Sequence, residues 1–141
     1  MTEFFGLGPS SVAVFLARIL LGLLFLYQGA DKIFSVKIRT VIETINPAYR
    51  KARLPGWLIT TVAYFTSYVE FFGGILLILG LFKFATLYLL GIEMLIVAAG
   101  FSMVDAVWKM DVYFPRFALL IFILLCDPST DVLLLDRLIR H

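Results

Sequence analysis

Residues 56–82 read GWLITTVAYFTSYVEFFGGILLILGLF, with Glu70 as the one charged side chain. A run of this length, at about 1.5 Å per residue, crosses a hydrocarbon layer of about 30 Å. Ala63, Thr66, Ser67, Glu70, Gly73 and Gly74 recur at helical spacing, so the small and polar residues share one face. On a membrane helix such a face packs against other helices, because small residues let backbones approach. The remaining faces carry Phe, Leu and Ile suited to lipid.

Three more segments read the same way. Apolar helices are expected over about 10–34, 84–103 and 111–127, beside 56–82. The last is the shortest, with Pro115 in its first turn, where proline is tolerated. Together they make residues 1–141 one all-α transmembrane domain, a four-helix bundle. The composition agrees. Of 141 residues, 62% are apolar and 16% charged, against about 45–50% and 25% in ordinary globular domains. A soluble chain this short has too little interior to hide so much apolar surface. The stretch Met1 to Ser11 has Glu3 and no Lys or Arg, so the first apolar helix is expected to be retained rather than cleaved.

Residues 35–55 form the long polar stretch, with Lys37, Arg39, Arg50, Lys51 and Arg53. Ile38, Val41, Ile42 and Ile45 recur at helical spacing opposite charged residues, which predicts a short helix in the headgroup region, ended by Asn46 and Pro47. The tail from Ser129 to His141 predicts a second interfacial helix capped by Ser129 or Thr130. Lys83 marks a tight turn. Basic residues concentrate in the loops after the first and third helices. The positive-inside rule then places both termini on the non-cytoplasmic side of the inner (cytoplasmic) membrane, with Trp57 and Trp108 anchoring the basic side.

A net charge of +2 gives no footing for nucleic acid, and the expected partner is membrane lipid. One cysteine, Cys126, excludes an intrachain disulfide and a C-x-x-C centre. One histidine, His141, supplies no paired-histidine metal or haem site. No metal is expected, and no cofactor is held by ligands of this chain alone.

Three ionisable residues lie deep in apolar helices: Arg18, Glu70 and Glu93. Charge in lipid is costly, so each should face the interior and find a partner. Counted from the terminal side, their depths are roughly 12, 18 and 14 Å. One slab therefore holds all three as a buried polar cluster, with an Arg18–Glu70 contact expected. Such a cluster either locks the bundle or forms a pocket for a polar group or a proton path. Gln28 and Lys32 are candidates for ligand or interfacial contact, and Lys32 is expected to snorkel to the basic surface. Gly22, Gly29, Gly73 and Gly74 are candidates for helix packing. Catalytic residues are not identified, and the sequence leaves open whether the chain is an enzyme.

The pattern Arg18-Ile-Leu-Leu-Gly22, Phe25, Gln28-Gly29, Lys32 resembles the opening of the DoxX-like family of small bacterial membrane proteins. Glu70-Phe-Phe-Gly73-Gly74, then a leucine run to Gly80-Leu81-Phe82-Lys83, is similar to that family's second helix and turn. Leu134-Leu135-Asp136 is similar to its ending. Two departures stand out: Cys126-Asp127-Pro128-Ser129 replaces a glycine-proline-glycine turn, and Glu93 lies outside the pattern. The resemblance implies a four-helix bundle. Members include a subunit of thiosulfate:quinone oxidoreductase and proteins linked to oxidative-stress complexes. It therefore implies an accessory or anchoring subunit of a redox complex, with other membrane subunits or further copies of the chain as partners. Two alternatives stand beside it: a quinone- or lipid-binding oxidoreductase subunit, and a small-molecule or proton carrier acting as an oligomer.

Overall fold

A computed structural model describes residues 8–104, 110–127 and 129–131. Helix α1 spans Pro9–Ala30 and continues as a π-helical turn, Asp31–Ser35; α2 spans Ile38–Lys51, α3 Gly56–Leu79, α4 Lys83–Val104 and α5 Met110–Leu125. The described residues are all-helical with no strands, as the apolar runs require: in lipid a helix satisfies its own backbone groups. Segments 9–35, 56–79 and 83–104 are long and apolar enough to cross a membrane, and Tyr113–Leu125 is a shorter apolar helix. Leu16, Leu95 and Leu125 are more than half exposed, an apolar outer surface suited to lipid.

The α1–α3 pair is the spine of the bundle, and glycine sets its spacing. A Cβ on Gly29 would lie 2.4 Å from the Phe71 backbone nitrogen, and one on Gly74 would lie 2.4 Å from that of Leu26. On Gly22 it would meet the Gly74 carbonyl at 3.0 Å. Gly73 faces the other way, toward Leu90 of α4. The apolar core then fills with Leu21, Phe25, Leu77, Leu87, Leu120 and Ile123.

Helix ends differ from the sequence reading at three points. Helix α3 stops at Leu79, not 82. Gly80 takes a left-handed φ of 69°, and Leu81 N–H reaches back to the Leu76 carbonyl at 2.9 Å, a glycine-closed helix end. Asn46 and Pro47 do not end α2, which runs to Lys51. Its apolar stripe continues through Tyr49, and packing on the bundle outweighs the one donor that proline removes. Pro115 lies inside α5, beyond its first turn. Trp108, most of the predicted tail helix and Leu134 to Asp136 lie outside the described residues. After α5 the chain turns at Asp127, whose Oδ1 accepts from Ser129 N–H at 2.8 Å. These hydrogen bonds hold its carboxyl below the usual carboxylate range.

Candidate functional site

Arg18, Glu70 and Glu93 are all buried, at 0–1% exposure, but they do not form one cluster. The α1–α3 register explains why. Gly22 lies against Ile78, Leu26 against Gly74, and Gly29 against Phe71. Running the antiparallel pair in both directions puts Arg18 level with the α3–α4 turn and Glu70 level with the last turn of α1. The expected Arg18–Glu70 contact is therefore replaced by two separate sites, one toward each end of the bundle.

At the terminal end, Arg18 donates to the carbonyls of Leu77 and Ile78, in the last turn of α3. Its Nε lies 3.2 Å from Asp131 Oδ2, and Lys83 Nζ lies 2.9 Å from the same oxygen. All three side chains are buried. Lys83, expected to mark a tight turn, is the first residue of α4 and faces inward. The arrangement ties the chain after α5 to α1 and to the start of α4. Its partners are fixed backbone and a shared carboxylate, and it reads as a structural lock.

The second site lies toward the α2 end. Lys32 Nζ is 2.8 Å from Glu70 Oε1 and 2.7 Å from Oε2, and Gln28 Nε2 donates to Oε1 at 2.7 Å. Lys32 thus turns inward rather than snorkelling outward. Spaced four residues apart, Gln28 and Lys32 share one face of α1, just where the helix widens into its π turn. Arg116 of α5 donates to Gln28 Oε1. Glu93, from α4, stands beside Glu70, and its Oε2 has no hydrogen-bond partner among the described residues. Four helices therefore contribute Lys32, Glu70, Glu93 and Arg116, two cations against two carboxyl groups. Tyr113 of α5 is half-buried beside both carboxyls.

Above this site opens a cavity of about 400 Å³. Gln28, Lys32 and Tyr113 form its polar end. Its walls come from α3 and α4, and its roof from Val41, Ile45 and Tyr49 of α2. The Tyr49 hydroxyl rests over Gly100 of α4, 3.2 Å from where a Cβ would stand. Burial pushes its phenol up from the usual value, so it stays a neutral hydrogen-bonding group. Such a volume, apolar walls and a few convergent polar groups are what a small lipophilic ligand requires.

Sequence reasoning named Glu70 and Glu93, though in a cluster with Arg18, and named Gln28 and Lys32 separately as ligand or interfacial contacts. It missed Arg116 and Tyr113 here, and Lys83 and Asp131 at the other end. One signal was available: each deep charge needs a counter-charge at its own depth, and Arg116 lies within the last apolar helix and Asp131 just after it.

A family model described as DoxX matches residues 13–104. The match takes in α1 to α4, and so includes Arg18, Gln28, Lys32, Glu70, Lys83 and Glu93, while Tyr113, Arg116 and Asp131 lie beyond it. No curated protein and no solved structure matches the chain.

Proposed function

Because the chain belongs to the DoxX family of membrane proteins, we propose that it holds a lipophilic molecule with a hydrogen-bonding head, of quinone type, in the cavity beneath α2. In this reading it is the ligand-holding subunit of a redox assembly in the cytoplasmic membrane, with α2 on the cytoplasmic side. The observation that carries it is the placement of the charged site. Lys32, Gln28 and Tyr113 sit at the end of an apolar cavity of about 400 Å³, rather than in a packed interface as a pure lock would have them.

The donor set fits a quinone head. Its carbonyl oxygens accept hydrogen bonds, and Lys32 has more donors than Glu70 oxygens occupy. Tyr113 can donate or accept. A bound quinone would supply two-electron redox chemistry. The residues of this chain orient the head, exclude water through the α2 roof, and present carboxyl groups nearby.

The test is binding of a short-chain ubiquinone analogue to the purified full chain in mild detergent, with lipid extraction of the same preparation. Saturable binding that Ala63→Phe abolishes without lowering the melting temperature supports the reading, since Ala63 is a buried wall residue. Stable copurification of partner proteins with no saturable binding would return the chain to a purely anchoring role.

A further inference from the structure

Helix α2 has two faces with different tasks. Val41, Ile45 and Tyr49 face the cavity. Away from it, Arg39, Arg50 and Lys51 are exposed, as are Lys37 and Arg53 just outside the helix. The stretch 37–53 carries these five cations and one acid, Glu43. Glu43 pairs with Arg39 at 3.5 Å in an exposed contact, which exposure and salt make weak. At about 1.5 Å per residue the helix spreads its charge over roughly 21 Å. Trp57, 70% exposed, stands just after it, as an interfacial anchor would.

The connectors are unusual as well. Lys37 has φ 65° and Arg53 has φ 61°, a region that side-chain-bearing residues rarely occupy. Both ends of α2 therefore turn on a strained basic residue, and strain of this kind persists only where surroundings hold it.

We propose that the outer face of α2 binds anionic phospholipid headgroups, and that this contact holds the helix down across the mouth of the cavity. Long, flexible basic side chains in an open row suit a flat, laterally mobile layer of phosphate charge. Lipid charge attracts basic segments lying at the surface and is felt within a Debye length. The headgroup contact stands whatever the cavity holds; the closing role rests on the cavity being a ligand site.

The experiment uses the full chain in vesicles of phosphatidylcholine alone or phosphatidylcholine with phosphatidylglycerol, and reads amide hydrogen exchange over residues 38–51. No cavity ligand is added, so the result is separate from quinone binding. Exchange is expected to slow in the anionic vesicles, by up to about fivefold for each basic residue engaged. Combining Arg39→Gln, Arg50→Gln and Lys51→Gln should remove the difference while leaving exchange in α3 as it was. Equal exchange in the two lipids overturns the proposal, as does a triple variant that keeps the full dependence on lipid charge.

Discussion

Lys32 holds both carboxylate oxygens of Glu70, at 2.8 and 2.7 Å, and joins the end of α1 to the middle of α3. Glu70 is almost fully buried while Lys32 keeps some exposure at the cavity. Removing one partner of a buried pair strands the other, which costs about 3–5 kcal/mol in soluble proteins. Glu70→Leu should therefore lower the melting temperature in detergent sharply. Glu70→Gln should be milder, because the amide oxygen still accepts from Lys32 and Gln28. The double variant Lys32→Met with Glu70→Leu should recover much of the loss, since no charge is left alone. Equal damage from Gln and Leu at position 70 would count against a hydrogen-bonded pair.

Glu93 should behave differently, although it is just as buried. Its Oε2 has no partner among the described residues, and it faces another carboxyl. Glu93→Gln replaces a carboxyl that faces Glu70 with a neutral amide of the same shape and should leave stability within about 1 kcal/mol, or raise it. If the site receives a polar head, the same variant should still alter the affinity for a ubiquinone analogue. A large drop in melting temperature would instead make Glu93 part of the lock.

Asp131 is shared by Arg18 and Lys83, both buried. Taking away the carboxylate leaves two cations without the group that neutralises them, so Asp131→Ala should cost about 3 kcal/mol or more. Asp127→Ala is the control. Asp127 is exposed, and its loss should leave the melting temperature nearly unchanged, apart from one turn hydrogen bond. Thermal melting of the two variants side by side reads the contrast.

The helices and the residues that would be buried were legible because hydropathy and small-residue stripes act locally along the chain. The pairing of charges was not. Depth counted from helix ends places Arg18 and Glu70 within roughly 6 Å of each other along the membrane normal. The true register is set by where Gly29 meets Phe71 and Gly74 meets Leu26, a contact between helices that neither helix reveals alone. Lys83 shows the same limit. Placed after Gly80 it looks like a turn residue, and only Asp131, 48 positions later in the chain, turns it inward. Pro47 misled for another reason: a proline signal is local, while Tyr49 gains its packing against α4 through the tertiary fold.

That register yields the last prediction. Alanine is favoured over glycine within a helix by about 1 kcal/mol, so Gly→Ala in α1 or α3 should stabilise wherever space exists. At Gly29 and Gly74 there is none: the new Cβ would stand 2.4 Å from a backbone nitrogen of the facing helix. Backbone cannot rotate aside as a side chain can, so the helices must separate, and overpacking of this kind costs about 1–3 kcal/mol. Gly73→Ala meets the Leu90 side chain at 2.9 Å, which can change rotamer, and should be milder. Gly56, at the start of α3, meets nothing within 4 Å, so Gly56→Ala serves as the neutral control. The expected order of melting temperatures is Gly56→Ala, then Gly73→Ala, then Gly29→Ala and Gly74→Ala together at the bottom. Moving α1 off α3 also pulls Gln28 and Lys32 from Glu70, because they sit on either side of Gly29. Gly29→Ala should therefore weaken binding of a ubiquinone analogue more than Gly73→Ala does, even at temperatures where both variants remain folded. If Gly29→Ala and Gly74→Ala melted at or above the parent chain, the close α1–α3 crossing would be wrong, and with it the geometry that brings Lys32 to Glu70.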